Sequence, residues 1–439
     1  MIFNERKTFF IVLCFVVLVS LFFSEQIANN QNNNFNGADT AWMIMASALV
    51  LLMTPGLAFF YGGMVNKKNV ISTLLQSFIA LGVITIVWVT FGFSLSFGDS
   101  VAGLGIIGNP FQFPFLNNLE SRNSNIPYLL FALFQLKFAI ITPAIITGSF
   151  AERIRFRSYL LFMVLFSIFI YSPLAHMTWA SGGIFANFGN VIGLKGFENL
   201  HVLDYAGGTV VHMSAGLAAL CGAIYLGKRK ETKTEPANIP FIILGTGLLW
   251  FGWFGFNAGS ALSANYDAVI SFANTNIASA TSMITWILFD RFQNKKISAV
   301  NACIGAIVGL VAITPAAGYV TISHSIVIGF ITALICNISI VWIKKSKHID
   351  DTLDVFASHG IGGICGMILT AIFAKDVGLI YGQYHTFILH IIACVIVIIF
   401  AFGGSWIIYK IVDLILPIRV REDQEKKGLD LSQHGEVIK

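Results

Sequence analysis

Long apolar stretches follow one another along this chain, and they constrain its fold more than any other feature. Each is close to the roughly 20 residues that an α-helix needs to cross a lipid bilayer. We place eleven of them, at 40–62, 70–97, 127–150, 158–185, 204–227, 239–258, 271–290, 298–313, 323–344, 354–374 and 384–416. Only 11% of the residues are charged, whereas soluble chains carry about 25%. The sequence therefore predicts an all-α polytopic membrane protein.

The charges between these stretches indicate the orientation of the chain. Alternate loops carry most of the lysines and arginines, and the opposite loops carry only Arg122, Lys195 and Lys375. Because cytoplasmic loops are enriched in basic residues, we expect the first set to face the cytoplasm. The N-terminus of the membrane domain is then outside and the C-terminus inside. This arrangement requires an odd number of spans, which agrees with eleven.

The chain divides into three parts. Residues 1–28 resemble a signal peptide, because two basic residues precede an apolar run from Thr8 to Phe23. An uncleaved first span is the alternative, since only Ala28 fits the small-residue pattern of a cleavage site. A membrane domain is predicted at 39–416 and a cytoplasmic tail at 417–439. The tail is too short to form a core of its own.

Two histidines lie deep within apolar, glycine-rich stretches. His212 shares a helix face with Gly208 and Gly216, and His359 shares one with Gly363. Ionisable groups are costly inside a bilayer and usually mark a pathway or a packed polar pair. Glycines at this spacing let helix backbones approach closely. We therefore predict that the two histidines meet in the middle of the membrane; a structural pair that only joins two spans is the alternative.

The histidines also divide the eleven stretches into five, five and one. His212 lies in the fifth stretch and His359 in the tenth. Transporters built from inverted repeats hold their substrate at the repeat interface, near the membrane midplane. The predicted fold is therefore two inverted five-helix repeats plus a final helix.

Nothing in the sequence indicates an enzyme. The six cysteines lie in apolar segments, with neither the spacing of metal ligands nor that of a disulfide framework. No nucleophile–base pair stands out. We predict no catalytic residue, no metal, no cofactor and no nucleic-acid partner.

Six strings in the chain resemble the ammonium transporter family, Amt/Mep/Rh, and its bacterial Amt branch in particular. They are TPGLAFFYGG (54–63), GSFAERIRF (148–156), DYAGGTVVH (204–212), GWFGFNAGS (252–260), DVFASHGIGG (354–363) and GLDLSQHGE (428–436). The resemblance runs from about residue 39 to 436. It implies an eleven-span bundle that assembles as a homotrimer in the bacterial inner membrane, with a separate pore in each subunit.

The resemblance implies an outer site that recruits ammonium. Trp179 and Ser260 match this site, and Phe134 lies beside it at the outer mouth. A tryptophan face attracts ammonium by a cation–π interaction, and a serine hydroxyl can accept one of its hydrogens. Asp204 matches an aspartate that supports the site without binding the ion. From position alone, Trp179 also fits an interfacial aromatic belt, and Asp204 fits a helix cap.

The resemblance also implies a gate and a polar pair below it. Phe138 and Phe256 match the stacked phenylalanine gate, and His212 and His359 match the twin pore histidines. Aromatic rings across a pore exclude water, which hinders a hydrated cation more than a small neutral amine. Two neutral imidazoles that share one hydrogen bond leave a polar strip for ammonia or a proton. Ordinary packing is the alternative for the phenylalanines, because the chain contains 40 of them.

The implied function is transport of ammonium or methylammonium. Ammonium is selected outside and loses its proton at or below the gate, and ammonia then passes the histidines. In bacterial relatives the tail crosses to the neighbouring subunit, and PII-family regulators dock on the cytoplasmic face; a merely solvated tail is the alternative. An ammonium sensor that signals through its tail is the second function, and a carbon dioxide channel is disfavoured by Trp179 and the Amt-like strings.

Overall fold

The computed structural model describes residues 5–23, 35–119, 125–232 and 235–438. Within these ranges the chain is helical, and its β-structure is limited to two isolated backbone bridges. Eleven helical segments follow one another from residue 37 onward: α1 (Gly37–Met64), α2 (Lys67–Phe97), α3 (Tyr128–Ile146), α4 (Phe156–Trp179), α5 (Gly208–Leu226), α6 (Ile239–Gly259), α7 (Tyr266–Phe292), α8 (Ala299–Ile313), α9 (Ile322–Lys344), α10 (Phe356–Phe373) and α11 (Tyr384–Ile415).

In the described part of the chain, nine of these segments are long and apolar enough to cross a membrane. The two others are α7, which carries several buried polar side chains, and α8, which has only 15 residues. Each of the eleven segments overlaps one of the stretches expected from the sequence. The prediction of an all-α polytopic membrane protein is therefore confirmed, whereas membrane crossing by α7 and α8 stays a prediction.

One further helix precedes these segments. It spans Glu5–Ser20 and lies within the predicted signal peptide. The remaining residues of that prediction, 1–4 and 24–28, lie outside the described residues. Cleavage of a signal peptide stays a prediction.

Capping side chains determine where several helices begin. Asn36 accepts hydrogen bonds from the backbone N–H groups of Ala38 and Asp39 at the start of α1. Asn238 and Asn265 cap α6 and α7 in the same way. These side chains pair backbone donors that the first turn of a helix leaves unsatisfied. Polar residues between the apolar stretches thus set the helix starts.

The crossing of α5 and α10 lies at the centre of the bundle. A Cβ atom on Gly216 would collide with the backbone of Gly360. A Cβ atom on Gly363 would lie 3.1 Å from the Cβ of His212. Each glycine therefore faces the histidine-bearing turn of the other helix. The close approach expected from the glycine spacing is present, and it is reciprocal.

Buried arginines join several loops at one end of the bundle. The Arg153 side chain is fully buried and donates to the Thr352 hydroxyl at 2.7 Å and the Asp350 carbonyl oxygen at 2.6 Å. Arg229 forms ion pairs with Glu152 at 2.8 Å and with Asp350 at 2.9 Å. Buried charges destabilise a fold unless they are paired. These pairs therefore hold together the loops before α4, after α5 and before α10.

The tail folds back onto the same face. It contains a short helix, α12 (Glu422–Lys427), followed by Leu429, which is completely buried. The Asp430 carboxylate then accepts hydrogen bonds from the backbone N–H groups of Ile71 and Ser72, at 3.0 and 2.7 Å. The tail is therefore packed against loops of its own chain and is not a solvated peptide.

The α5–α10 crossing gives a stability prediction. We expect Gly216→Ala to lower the free energy of unfolding by about 1–3 kcal/mol, because the added methyl group forces the two backbones apart. Gly247→Ala is the matched control, since it lies on an exposed face of α6 with nothing within 4 Å of its Cβ position. Thermal unfolding of the detergent-purified variants checks this. Equal stability of the two variants would show that the crossing can relax.

Candidate functional site

His212 and His359 meet where α5 and α10 cross. Their Nδ1 atoms are 3.2 Å apart, and the ring centroids are 5.4 Å apart. Both side chains are buried, and the Nε2 atom of His212 has no hydrogen-bond partner among the described residues. Because two Nδ1 atoms can share only one hydrogen, one ring donates and the other accepts. The pair thus leaves a ring nitrogen able to bind a small polar molecule.

A carboxylate fixes the start of α5, the helix that carries His212. The Asp204 side chain accepts hydrogen bonds from the backbone N–H groups of Gly207 at 2.8 Å, Gly208 at 2.6 Å and Thr209 at 2.8 Å. The Thr209 hydroxyl also donates to it. Four donors occupy its two oxygens, so this carboxylate acts as a helix cap and does not bind a cation directly.

A second aspartate has the same relation to His359, and the sequence analysis missed it. Asp351 precedes His359 by eight positions, as Asp204 precedes His212. Its carboxylate accepts a hydrogen bond from the backbone N–H of Phe356 at 2.7 Å. Asp354, which opens the predicted tenth span, has a φ of +57° and pairs with Lys344 at 2.8 Å. The repeated Asp-to-His spacing was the signal that could have identified Asp351.

The predicted gate residues stack on one another above the histidines. Phe138 and Phe256 lie with their ring centroids 4.1 Å apart and an interplanar angle of 26°. Phe134 packs edge-on against Phe138 at 5.0 Å. Phe256 in turn lies 6.2 Å from the His212 ring. The three phenylalanine rings and the His212 ring thus form one continuous set of aromatic contacts.

The predicted outer residues gather on the other side of the gate. The Trp179 ring lies 5.8 Å from Phe138, and its Nε1–H donates to the backbone oxygen of Asp204 at 3.0 Å. The Ser260 hydroxyl donates to the backbone oxygen of Phe256 at 2.9 Å. Since this bond uses its only hydrogen, the serine oxygen presents lone pairs to a donor. Trp179, Ser260, Phe134 and Asp204 therefore belong to one structural group.

Trp253 is a lumen residue that the sequence analysis did not single out. Its ring stacks on His212 at 5.4 Å and 18°, and its Nε1–H donates to the Thr314 hydroxyl at 2.9 Å. Together with both histidines and Phe256, it lines a cavity whose other walls are aliphatic or aromatic. The signal was its place in the string GWFGFNAGS, three residues before Phe256.

The cavity beside His212 continues past His359. A second cavity shares His359, Phe60 and Ile307 with the first, and it extends to Tyr61 and Ser358. The two cavities together lead from the phenylalanine pair past the histidines towards the loop that carries Asp351. Within the described residues, no group of three or more metal-ligating side chains is arranged to hold a metal ion.

Comparisons with known proteins agree with this arrangement. A family model described as Ammonium Transporter Family matches residues 41–438. The Bacillus subtilis protein named Ammonium transporter is 45% identical over 412 residues, which cover 91% of this chain and 97% of the relative. The Aquifex aeolicus protein of the same name is 41% identical over 428 residues, or 96% and 97% of the two chains.

Solved structures give the same match. Saccharomyces cerevisiae Mep2 superposes with a TM-score of 0.81 at 33% identity, covering 90% of this chain and 89% of that chain. A structure titled Sensor Amt Protein has a TM-score of 0.82 at 30% identity, covering 90% and 98%.

The buried Asp351 carboxyl gives a prediction about pH. Burial raises the pKa of Asp351 to about 7, and the negative charge of Asp354 adds to this effect. The folded protein then holds this proton more tightly than the unfolded chain does. The favourable contribution of the protonated carboxyl to the free energy of unfolding is therefore fully present below pH 3.8, and it is lost as the pH rises through about 7. As the pH rises from about 5.5 to 8.5, we expect the free energy of unfolding of Asp351→Asn to increase by about 2 kcal/mol relative to that of the wild type.

Thermal unfolding of both proteins across this pH range measures the difference. Asp376→Asn, at an exposed loop position, is the control for replacing an aspartate by asparagine. A pH-independent difference for Asp351→Asn would show that its carboxyl does not ionise in this range.

Proposed function

The chain belongs to the ammonium transporter family, whose named relatives are transporters and not enzymes, and we propose that it carries ammonium nitrogen across a bacterial inner membrane. The observation that carries this proposal is the order of three groups along one path. An aromatic face with a serine oxygen lies outside, a stacked phenylalanine pair follows, and a hydrogen-bonded histidine pair lies below it. We propose that substrate passes these groups in that order.

The outer group suits a small cation. The half-buried face of Trp179 attracts ammonium through its negative quadrupole, and the Ser260 oxygen accepts one of its four hydrogens. Methylammonium presents the same charge with three hydrogens and is a second substrate. Trp179 is held in place by the Asp204 carbonyl oxygen, so we assign Asp204 a supporting role and not a binding one.

The gate then selects the neutral form. Ammonia is, like the lysine amine with its pKa near 10.4, basic enough to be held as ammonium in water at neutral pH. A cation that enters the gap between Phe138 and Phe256 loses its water without gaining a polar partner, whereas ammonia loses far less. We infer that the proton is lost at the gate.

The histidine pair offers both ammonia and a proton a polar route. When a proton binds the free Nε2 of His212, the proton on Nδ1 of the same ring can transfer across the 3.2 Å Nδ1–Nδ1 contact to His359. A proton then leaves from the far side of the second ring, and both rings exchange tautomers. Current recordings in bilayers distinguish this electrogenic route from return of the proton to the outside.

We propose the membrane topology that the sequence indicated. All eleven segments, α7 and α8 included, cross the membrane as two inverted five-helix repeats plus α11, with the N-terminus outside and the C-terminus in the cytoplasm. The reciprocal glycine contacts of α5 and α10 and the matching Asp-to-His spacings support the repeat. The signal peptide and the homotrimer, with one pore per subunit, belong to the same proposal.

An ammonium sensor is the second candidate, because the structure titled Sensor Amt Protein superposes closely on this chain. A sensor binds ammonium and signals through its tail without moving the ion quickly. Uptake of methylammonium in a host without its own transporters separates the two functions. Binding without uptake would favour the sensor.

Loss of the histidine pair tests transport directly. We expect His212→Ala to reduce uptake at least about tenfold, which corresponds to a barrier higher by about 1.4 kcal/mol, because His359 loses its partner inside an apolar lumen. His348→Ala, at an exposed loop position, should transport like the wild type. Radiolabelled methylammonium uptake, with a check that each variant is folded, gives the measurement. Wild-type uptake and selectivity in folded His212→Ala would reject the role of the pair.

The packed tail gives the regulatory part of the proposal. We infer that residues 428–436 form part of a docking face for a PII-family regulator, since the tail is anchored to the start of α2 by Asp430. We expect Asp430→Ala to release the tail, to change the transport rate and to weaken regulator binding. Asp423→Ala is the control, because that carboxylate is exposed and pairs only with Arg421 among the contacts described.

Binding of a purified PII protein to the two variants in detergent, together with their uptake rates, measures this effect. Unaltered transport and unaltered binding in Asp430→Ala would show that the docked tail has no regulatory role.

A further inference from the structure

A buried histidine outside the lumen holds the outer site in place. His390 lies on α11, is completely buried, and belongs to neither cavity of the lumen. Its Nδ1 atom lies 2.9 Å from the backbone oxygen of Met367 on α10, and its Nε2 atom lies 2.9 Å from the backbone nitrogen of Leu203. The ring therefore joins two helices to the segment that leads into α5.

The partners of His390 define its protonation. The Met367 carbonyl can only accept, so Nδ1 must carry the hydrogen. The Leu203 backbone N–H can only donate, so Nε2 must present its lone pair. A single neutral tautomer satisfies both contacts, and a doubly protonated ring would place two N–H groups against each other. His390 thus supplies the acceptor for the backbone N–H of Leu203, which has no backbone acceptor of its own among the described contacts.

The residue next to Leu203 contacts the outer site and the start of α5. Asp204 follows Leu203 directly; its backbone oxygen accepts from the Trp179 indole, and its carboxylate caps α5. On either side, the backbone N–H of Val202 donates to the Phe185 carbonyl and that of Tyr205 donates to the Pro315 carbonyl. Of these three neighbouring backbone donors, Leu203 is the one whose acceptor is a side chain.

We propose that His390 is a positioning residue for ammonium recruitment, acting through Leu203 and Asp204 on the orientation of the Trp179 ring. This inference rests on the proposed function, because it assigns Trp179 to the binding of the cation. Cation–π attraction depends on the ion lying over the ring face. A shift of the Asp204 carbonyl turns the indole and weakens binding, while the gate and the histidine pair stay intact.

Substitutions at His390 separate this role from general packing. His390→Phe keeps a ring of similar size and removes the acceptor for Leu203. His390→Gln is the conservative variant, because its side-chain amide carries one acceptor and one donor group. We expect His390→Phe to raise the half-saturating methylammonium concentration about tenfold, equivalent to about 1.4 kcal/mol. Its maximal uptake rate should stay within about twofold of the wild type, and His390→Gln should restore affinity.

A double-mutant cycle tests the route through Trp179. Trp179→Leu by itself should raise the half-saturating concentration by up to roughly thirtyfold, the upper range of a lost cation–π contact. If His390 acts through that ring, His390→Phe should have no further effect in the Trp179→Leu background. If His390→Phe raises the half-saturating concentration by the same factor with and without Trp179, the proposal is overturned. Wild-type affinity of His390→Phe, or failure of His390→Gln to restore the affinity, would also overturn it.

Hydrogen–deuterium exchange provides a readout that does not depend on transport. A peptide covering residues 200–207 should exchange slowly at the Leu203 amide in the wild type and in His390→Gln, and faster in His390→Phe. If His390→Phe cannot be recovered folded, His390→Leu takes its place in the same measurements. Absence of uptake by the wild type would reject the proposed function, whereas unchanged exchange at Leu203 would reject the role of His390.

Discussion

The contact between His212 and His359 is the interaction on which the rest of the structure depends. Two imidazoles inside an apolar bundle are costly unless each satisfies the other, and the 3.2 Å Nδ1–Nδ1 contact does so. That contact requires α5 and α10 to cross closely, which Gly216 and Gly363 permit by having no Cβ. The gate, the lumen and the helix caps are all placed relative to this crossing.

The helices α5 and α10 are both capped by an aspartate, and the two carboxylates differ in their electrostatic surroundings. Asp204 and Asp351 each cap a helix eight residues before a histidine. The outer carboxylate is satisfied by four donors. The inner one has an oxygen without a hydrogen-bond partner among the described residues and lies near the charge of Asp354. The two helices therefore begin with the same kind of cap, whereas Asp204 is held by four donors and Asp351 keeps one oxygen without a partner in the described part of the chain.

A series of hydrogen bonds connects the tail to the second cavity. The backbone N–H of Val420 donates to the Arg153 carbonyl oxygen at 3.0 Å. The Arg153 side chain reaches the loop before α10, where the backbone N–H of Leu353 donates to the Gly148 carbonyl oxygen. Leu353 lines the inner cavity. The tail and this cavity are thus joined by hydrogen bonds that run through Arg153 and the loop before α10.

The sequence by itself determined the class of the fold, the approximate limits of the helices and the family. Apolar length, charge distribution and glycine spacing can be read along the chain, and the thickness of the bilayer sets the length of the apolar helices. The strings that contain His212, Phe256 and His359 also identified the candidate site, because those residues lie within motifs. Only the tertiary structure decided the hydrogen-bond partners. Trp253 lies against His212, and His390 holds Leu203 across 187 positions of the chain. Such contacts depend on which helices pack together and on the direction of each side chain, and neither periodicity nor spacing along the chain specifies these.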